Sequence, residues 1–186
     1  MESELKASNS YHPVSIILHW VIAIALVAIF CLGVYMADLP FSPTRLKLYN
    51  WHKWAGVSIL VLSTSRLAWR LARPAPALPG AVVRAMPDWQ LKAHHATHIA
   101  LYTLFFLVPL IGWAYTSAAG FPVVLFGQFA LPDLLSPDKE LVALIKPWHK
   151  FSAYALAALV LVHVAAALKH QLIDRDGLLR RMSLRG

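Results

Sequence analysis

The chain has 186 residues, 59% of them hydrophobic and only 14% charged, with a mean hydropathy of +0.58. Soluble domains carry roughly 25% charged residues, so this composition excludes an ordinary soluble globule and points to a membrane. The single cysteine, Cys31, excludes a disulfide framework and a thiolate metal site. The net charge of +8 lies beside apolar runs, where it reads as a topology signal and not as a nucleic-acid surface.

The first apolar run covers residues 14–37. It is too long for the apolar core of a signal peptide, and no small-residue cleavage site with a hydrophilic chain follows, so it is expected to be retained. A helix needs about 20 apolar residues to cross the hydrocarbon of a bilayer. Three more segments meet that length: 51–71, 94–117 and 148–172. Pro40 and Pro43 after the first run, and Pro74, Pro76 and Pro79 after the second, mark loops. The stretch "FPVVLFGQFALP" in the third connection is too short to span and is expected at the interface. The expected fold is therefore all-α: a four-helix transmembrane bundle forming one domain over 1–186. The amino terminus, the second span's end with its connection, and the tail hold eleven Lys and Arg, from Lys6 to Arg185, against six in the other connections. That bias places both termini in the cytoplasm.

The fourth segment is Ala, Leu and Val with histidines inserted. His149, Leu156, His163 and His170 recur every seven residues, nearly two helical turns, so they share one stripe. Small residues beside that stripe, Ser152, Ala153 and Ala157 among them, leave room for something flat. His149 and His163 lie ~21 Å apart along the axis, too far for one small ligand. In an up-and-down bundle His19 lies at the depth of His163, and His52 at the depth of His149. Each leaflet thus receives a histidine pair drawn from two helices, as two bis-histidine haems require. Gly33 and Gly56 are expected to let a porphyrin approach the backbone, and Arg66 to pair with a propionate of the inner haem. No C-x-x-C-H occurs, so the haems are expected to be non-covalent haem b. Zinc is the rival ligand, but it favours three or four close donors, and no acidic residue lies inside these segments. His94, His95 and His98 open the third segment on the side of His170. They read as interfacial residues, as replacement ligands, or as hydrogen-bonding and proton-relaying groups at a quinone.

The chain resembles the bacterial cytochrome b561 proteins, four-helix di-haem membrane cytochromes, over nearly its whole length. The features that carry the resemblance are "SIILHW" around His19, "NWHKWAGVSILVLSTSRLAWRL" around His52, "HATHIALYTLFFLVPLIGW" around His98 and "WHKFSAYALAALVLVHVAAALKH" around His149 and His163. Carried over by position, the resemblance implies that His19 and His163 hold one haem and His52 and His149 the other. It implies that His98 and His170 lie near ubiquinone, with His95 as a further candidate. The activity it implies is a superoxide:ubiquinone oxidoreductase of the bacterial cytoplasmic membrane, in contact with lipid and the quinone pool. Basic residues from Arg45 to Lys150 on the outer face suit an anionic donor such as superoxide. Two other functions remain open. One is a cytochrome b subunit serving a redox partner protein: a dehydrogenase, a hydrogenase or a cytochrome c. The other is a haem-binding structural or transport protein. Lys53 and Lys150, beside the outer histidines, match no pattern.

Overall fold

The computed structural model of the protein describes residues 10–184; Lys6 and Arg185, counted above, lie outside the described residues. Four long helices dominate: α1 (Pro13–Ala37), α2 (Pro43–Ala72), α4 (Asp88–Ala118) and α5 (Lys139–Lys169), with a short α3 (Gly80–Ala85) between α2 and α4. At 1.5 Å per residue, the 31 residues of α4 or of α5 extend ~46 Å, about the thickness of a bilayer with its headgroups.

The helices run longer than the apolar segments because polar caps and prolines act outside the apolar stretch. Ser42 caps α2 through Oγ to the Arg45 amide, and Pro43 sits at N1, where its missing N–H costs nothing. Pro43 therefore starts a helix, where a loop was expected, and α2 begins eight residues before 51. Asp138 Oδ1 takes the Glu140 and Leu141 amides and starts α5 at Lys139. Pro147 consequently lies inside α5, where the sequence placed the end of a loop. His12 caps α1 through Nδ1.

Three helical segments, Pro13–Ala37, Asp88–Ala118 and Lys139–Asp174, are long and apolar enough to cross a membrane. Only 11%, 6% and 6% of their most apolar windows are fully buried within the protein, so much of their apolar surface is left for a bilayer to cover. Although α2 is equally long, it is less apolar, because Arg45, Lys47, Lys53, Arg66 and Arg70 interrupt it. It packs against α1 on one side and α4 on the other; α4 packs on α5, while α5 approaches α1 only sparsely. The helices thus alternate in direction around an incompletely closed bundle.

At one end, residues 119–138 fold back over the helices. A small antiparallel hairpin pairs Val124 with Ala130 and Leu125 with Phe129, turning through positive φ at Phe126 and Gly127. Lys53 Nζ donates to the Pro122 carbonyl at 3.0 Å, and Trp54 Nε1 to the Val124 carbonyl at 2.7 Å. The segment expected to be interfacial is therefore strapped to α2, and Lys53 acquires a role. At the opposite end α5 passes into a π-turn, His170–Asp174, and a 3₁₀ turn, Leu178–Met182. The buried Arg181 donates to the Pro76 and Ala77 carbonyls and lies over Tyr11. Trp20 Nε1 donates to the Met182 carbonyl at 2.9 Å. Both described ends of the chain and the α2–α3 connection are tied together there.

Candidate functional site: two histidine pairs at opposite ends

Helix direction sorts the histidines. His52 near the start of α2 and His149 near the start of α5 meet at the hairpin end, with ring centres 6.2 Å apart and planes at 90°. His19 near the start of α1 and His163 near the end of α5 meet at the tail end, also at 6.2 Å, with planes at 69°. The depth pairing expected from the sequence is the pairing observed. Leu156, midway along the stripe, is buried between the two levels.

The spacing tests whether a metal fits. An imidazole nitrogen binds a metal at about 2 Å and lies about 1.1 Å from its ring centre, so two rings on opposite sides of one metal have centres about 6 Å apart. Both pairs have that separation. Among the described residues the close cluster of three metal-ligating groups lies elsewhere, at His170, Asp174 and Asp176, so neither pair sits in the compact donor set that zinc favours.

At the hairpin-end pair, glycines set the ring positions. A Cβ on Gly33 of α1 would lie 3.0 Å from His52 Cε1, and a Cβ on Gly112 of α4 would lie 2.8 Å from His149 Cε1. Each histidine therefore rests against a glycine of the preceding helix, and any side chain there would displace the imidazole. Gly33, expected to admit a porphyrin, lies against the His52 ring. Gly56 meets only Ile29 Cδ1, at 3.8 Å. Gly112 was missed by sequence reasoning, although an isolated glycine in "LVPLIGWAY" is a signal for close approach. His149 Nδ1 lies 3.1 Å from the Val108 carbonyl, so it is the protonated nitrogen, and Nε2 keeps its lone pair. His52 Nδ1 is buried and closes no hydrogen bond, although the Ile29 carbonyl lies beside it.

The tail end is more crowded. His98 packs 5.4 Å from His163, and His94 packs 4.5 Å from His98. His98 Nδ1 donates to the His94 carbonyl at 2.7 Å. His95 contacts His94 but faces outward, on the exposed side of α4. Arg66 Nη1 donates to the Ser15 carbonyl at 2.7 Å, one turn before His19. Arg70 lies over the Tyr102 ring, whose buried hydroxyl has no partner. His170 turns away from His98 towards Asp176, and its Nε2 lies 3.4 Å from Gln90 Nε2 of α4.

Paired imidazoles at metal-spanning distance, one pair at each end of lipid-facing helices, are what a membrane haem protein needs. A family model described as Prokaryotic cytochrome b561 matches residues 10–184. The chain belongs to the prokaryotic cytochrome b561 family. It is 31% identical over 173 residues to cytochrome b561 homolog 2 of Escherichia coli (strain K12), covering 92% of this chain and 90% of that protein. It is 33% identical over 178 residues to cytochrome b561 homolog 1 of the same organism, covering 94% and 97%. A protein of Yersinia pestis named probable superoxide oxidase CybB is 28% identical over 131 residues, covering 70% of this chain and 72% of its own length. The family makes this a membrane b-type cytochrome that transfers electrons, with haem b as its cofactor.

Proposed function

We propose that the protein is a superoxide:ubiquinone oxidoreductase with two haems b, one held by His52 and His149 and the other by His19 and His163. The observation that carries this reading is the repeated 6.2 Å separation of two histidine pairs at opposite ends of one bundle. In this reading α2 is a fourth span, accommodated because α1 and α4 flank it. The bias of eleven basic residues against six sets both termini in the cytoplasm, so the hairpin end faces the periplasm. The membrane is the bacterial cytoplasmic membrane, and the whole chain is one domain.

Haem iron, when bound, supplies reversible one-electron chemistry. The residues of the chain do the rest. Val108 fixes the His149 tautomer with Nε2 free for iron, and Gly33 and Gly112 seat the outer rings. Arg45 and Lys53 are among the outer cations that raise the local concentration of a small anion. Two superoxide anions each give up one electron and leave as two dioxygen molecules. One ubiquinone takes the two electrons and two protons at the inner end, where His98 and His170 are placed to donate hydrogen bonds and protons. Arg66 lies at the inner level to meet a propionate. The named activity of the Yersinia pestis relative supports superoxide as donor.

Stopped-flow mixing of the oxidised protein with superoxide, then with a short-chain ubiquinone, tests this reading. Rapid haem reduction followed by re-oxidation by the quinone is expected. Reduction only by an added dehydrogenase, hydrogenase or cytochrome c would overturn it in favour of a partner-driven subunit.

A further inference from the structure

Helix α5 does not end in a glycine-capped turn. It widens into a π-turn at His170–Asp174, and Arg175 then reverses the chain in the left-handed region at φ 53. Widened turns of this kind are rare and concentrate at functional sites. The consequence here is specific: the reversal brings Asp176 back onto His170, six residues earlier, with Oδ2 2.6 Å from Nδ1. Both side chains are largely shielded, at 13% and 14% exposure. Asp176 is held in place by its own second oxygen, because Oδ1 accepts the Leu178 amide at 3.1 Å. Asp174 Oδ2 is farther from the ring, at 3.2 Å, and is taken by Lys169 Nζ at 2.6 Å.

A carboxylate on Nδ1 keeps the proton on that nitrogen, so Nε2 is left to face the other way. Nε2 points across to α4, 3.4 Å from the Gln90 amide nitrogen, which donates to it. His94 of α4 lies on the same side, packed against His98 with the rings tilted by 49°. The ring is thus oriented by one helix end, with Nε2 presented to α4 at Gln90, two turns beyond His163.

We infer that Asp176 is a positioning residue for His170 in proton delivery to the quinone. This rests on the reading of the inner end as the ubiquinone-reducing site. A quinone carbonyl takes the place of the Gln90 amide at Nε2. The Nε2–H bond of the protonated imidazole breaks as an O–H bond forms on the quinone oxygen, and the ring keeps its Nδ1–H on Asp176. Nε2 is then reprotonated by water that enters from the inner aqueous phase as the quinol leaves, and Nδ1–H stays on Asp176. The two electrons of each quinone come from two superoxide anions, so charge and protons balance. Asp176 touches neither quinone nor haem.

The test uses the full haem-loaded protein in lipid nanodiscs, with a short-chain ubiquinone as probe. Re-oxidation of the reduced haem is compared for wild type, His170→Phe, Asp176→Asn and Asp174→Asn. Re-oxidation is expected to slow about ten-fold or more in His170→Phe and Asp176→Asn, with haem spectra and reduction by superoxide unchanged, and less than two-fold in Asp174→Asn. In ¹⁵N-histidine spectra of the oxidised, quinone-free protein, the His170 signal is expected to shift from the Nδ1-protonated tautomer in wild type to the Nε2-protonated one in Asp176→Asn. Slow re-oxidation in His170→Phe with wild-type rates in Asp176→Asn overturns the role of Asp176 and leaves the inner quinone site standing. Wild-type rates in His170→Phe overturn both. An unchanged tautomer in Asp176→Asn, or equal slowing by Asp174→Asn, also overturns the pairing, since the effect would then be general charge.

Discussion

The two ends of the bundle use the same 6.2 Å histidine spacing and surround it differently. At the hairpin end, His52 and His149 stand alone, each pressed on a glycine. At the tail end, His19 and His163 share their surroundings with His98, His94, Arg66 and, one step away, the His170–Asp176 pair. The hairpin end offers two imidazoles at metal-spanning distance and little else. The tail end adds hydrogen-bond donors and groups able to carry protons, which a two-proton acceptor requires. The proposed function places proton-coupled quinone chemistry at the end where these extra groups gather, and this difference in surroundings is what it rests on.

The strongest way to break this comparison is to remove ligands. His52→Ala or His149→Ala is expected to lose one of two haems per chain and keep the other, read by pyridine haemochrome stoichiometry. The ends are ~21 Å apart along α5, so the inner haem should survive. Loss of the same haem in His19→Ala and in His52→Ala would dissolve the pairing.

Substituting a glycine sharpens it. Gly112→Val drives a side chain into His149 and is expected to remove most of the outer haem without touching the inner one. Gly56→Ala, where the nearest neighbour is Ile29 Cδ1 at 3.8 Å, should leave both. Haem content separates the two outcomes.

At the inner end, the double substitution of His98 and His170 by Phe should keep the two-haem spectrum and reduction by superoxide. Re-oxidation by ubiquinone should fall by about two orders of magnitude, the usual worth of a positioned acid–base group. Loss of a haem would make one of these residues a ligand.

Arg66→Leu is expected to act on one end only. Two unit charges ~10 Å apart at an effective dielectric constant of about 20 interact by ~1.7 kcal/mol, about 70 mV for one electron, and losing a cation beside the His19 turn is expected to disfavour the reduced state by up to that order. A redox titration should show the inner potential falling and the outer one unmoved. No shift would leave Arg66 with its Ser15 carbonyl alone.

The smallest effect is expected at the strap. Trp54→Phe removes one hydrogen bond to Val124, worth about 1 kcal/mol, and should lower thermal stability slightly with haem content intact.

Much of this was legible in the sequence because two periods act independently of packing. Apolar run length set the helices, and the seven-residue spacing of His149, His163 and His170 set the stripe. Depth then paired His19 with His163 and His52 with His149, since alternating helices in a bilayer leave few choices. Helix limits were less legible: Ser42 with Pro43, and Asp138, start helices by capping outside the apolar run. Other features depend on contacts between segments far apart in sequence or on local chain reversal, and only the tertiary structure decided them. Gly112 matters because α4 lies against α5 at His149; Lys53 matters because residues 121–130 fold back onto α2. His170 shares the histidine stripe by sequence, yet a π-turn and one left-handed residue commit its ring to Asp176. Periodicity specifies which face a residue occupies, but what stands opposite that face is fixed only when the chain has folded.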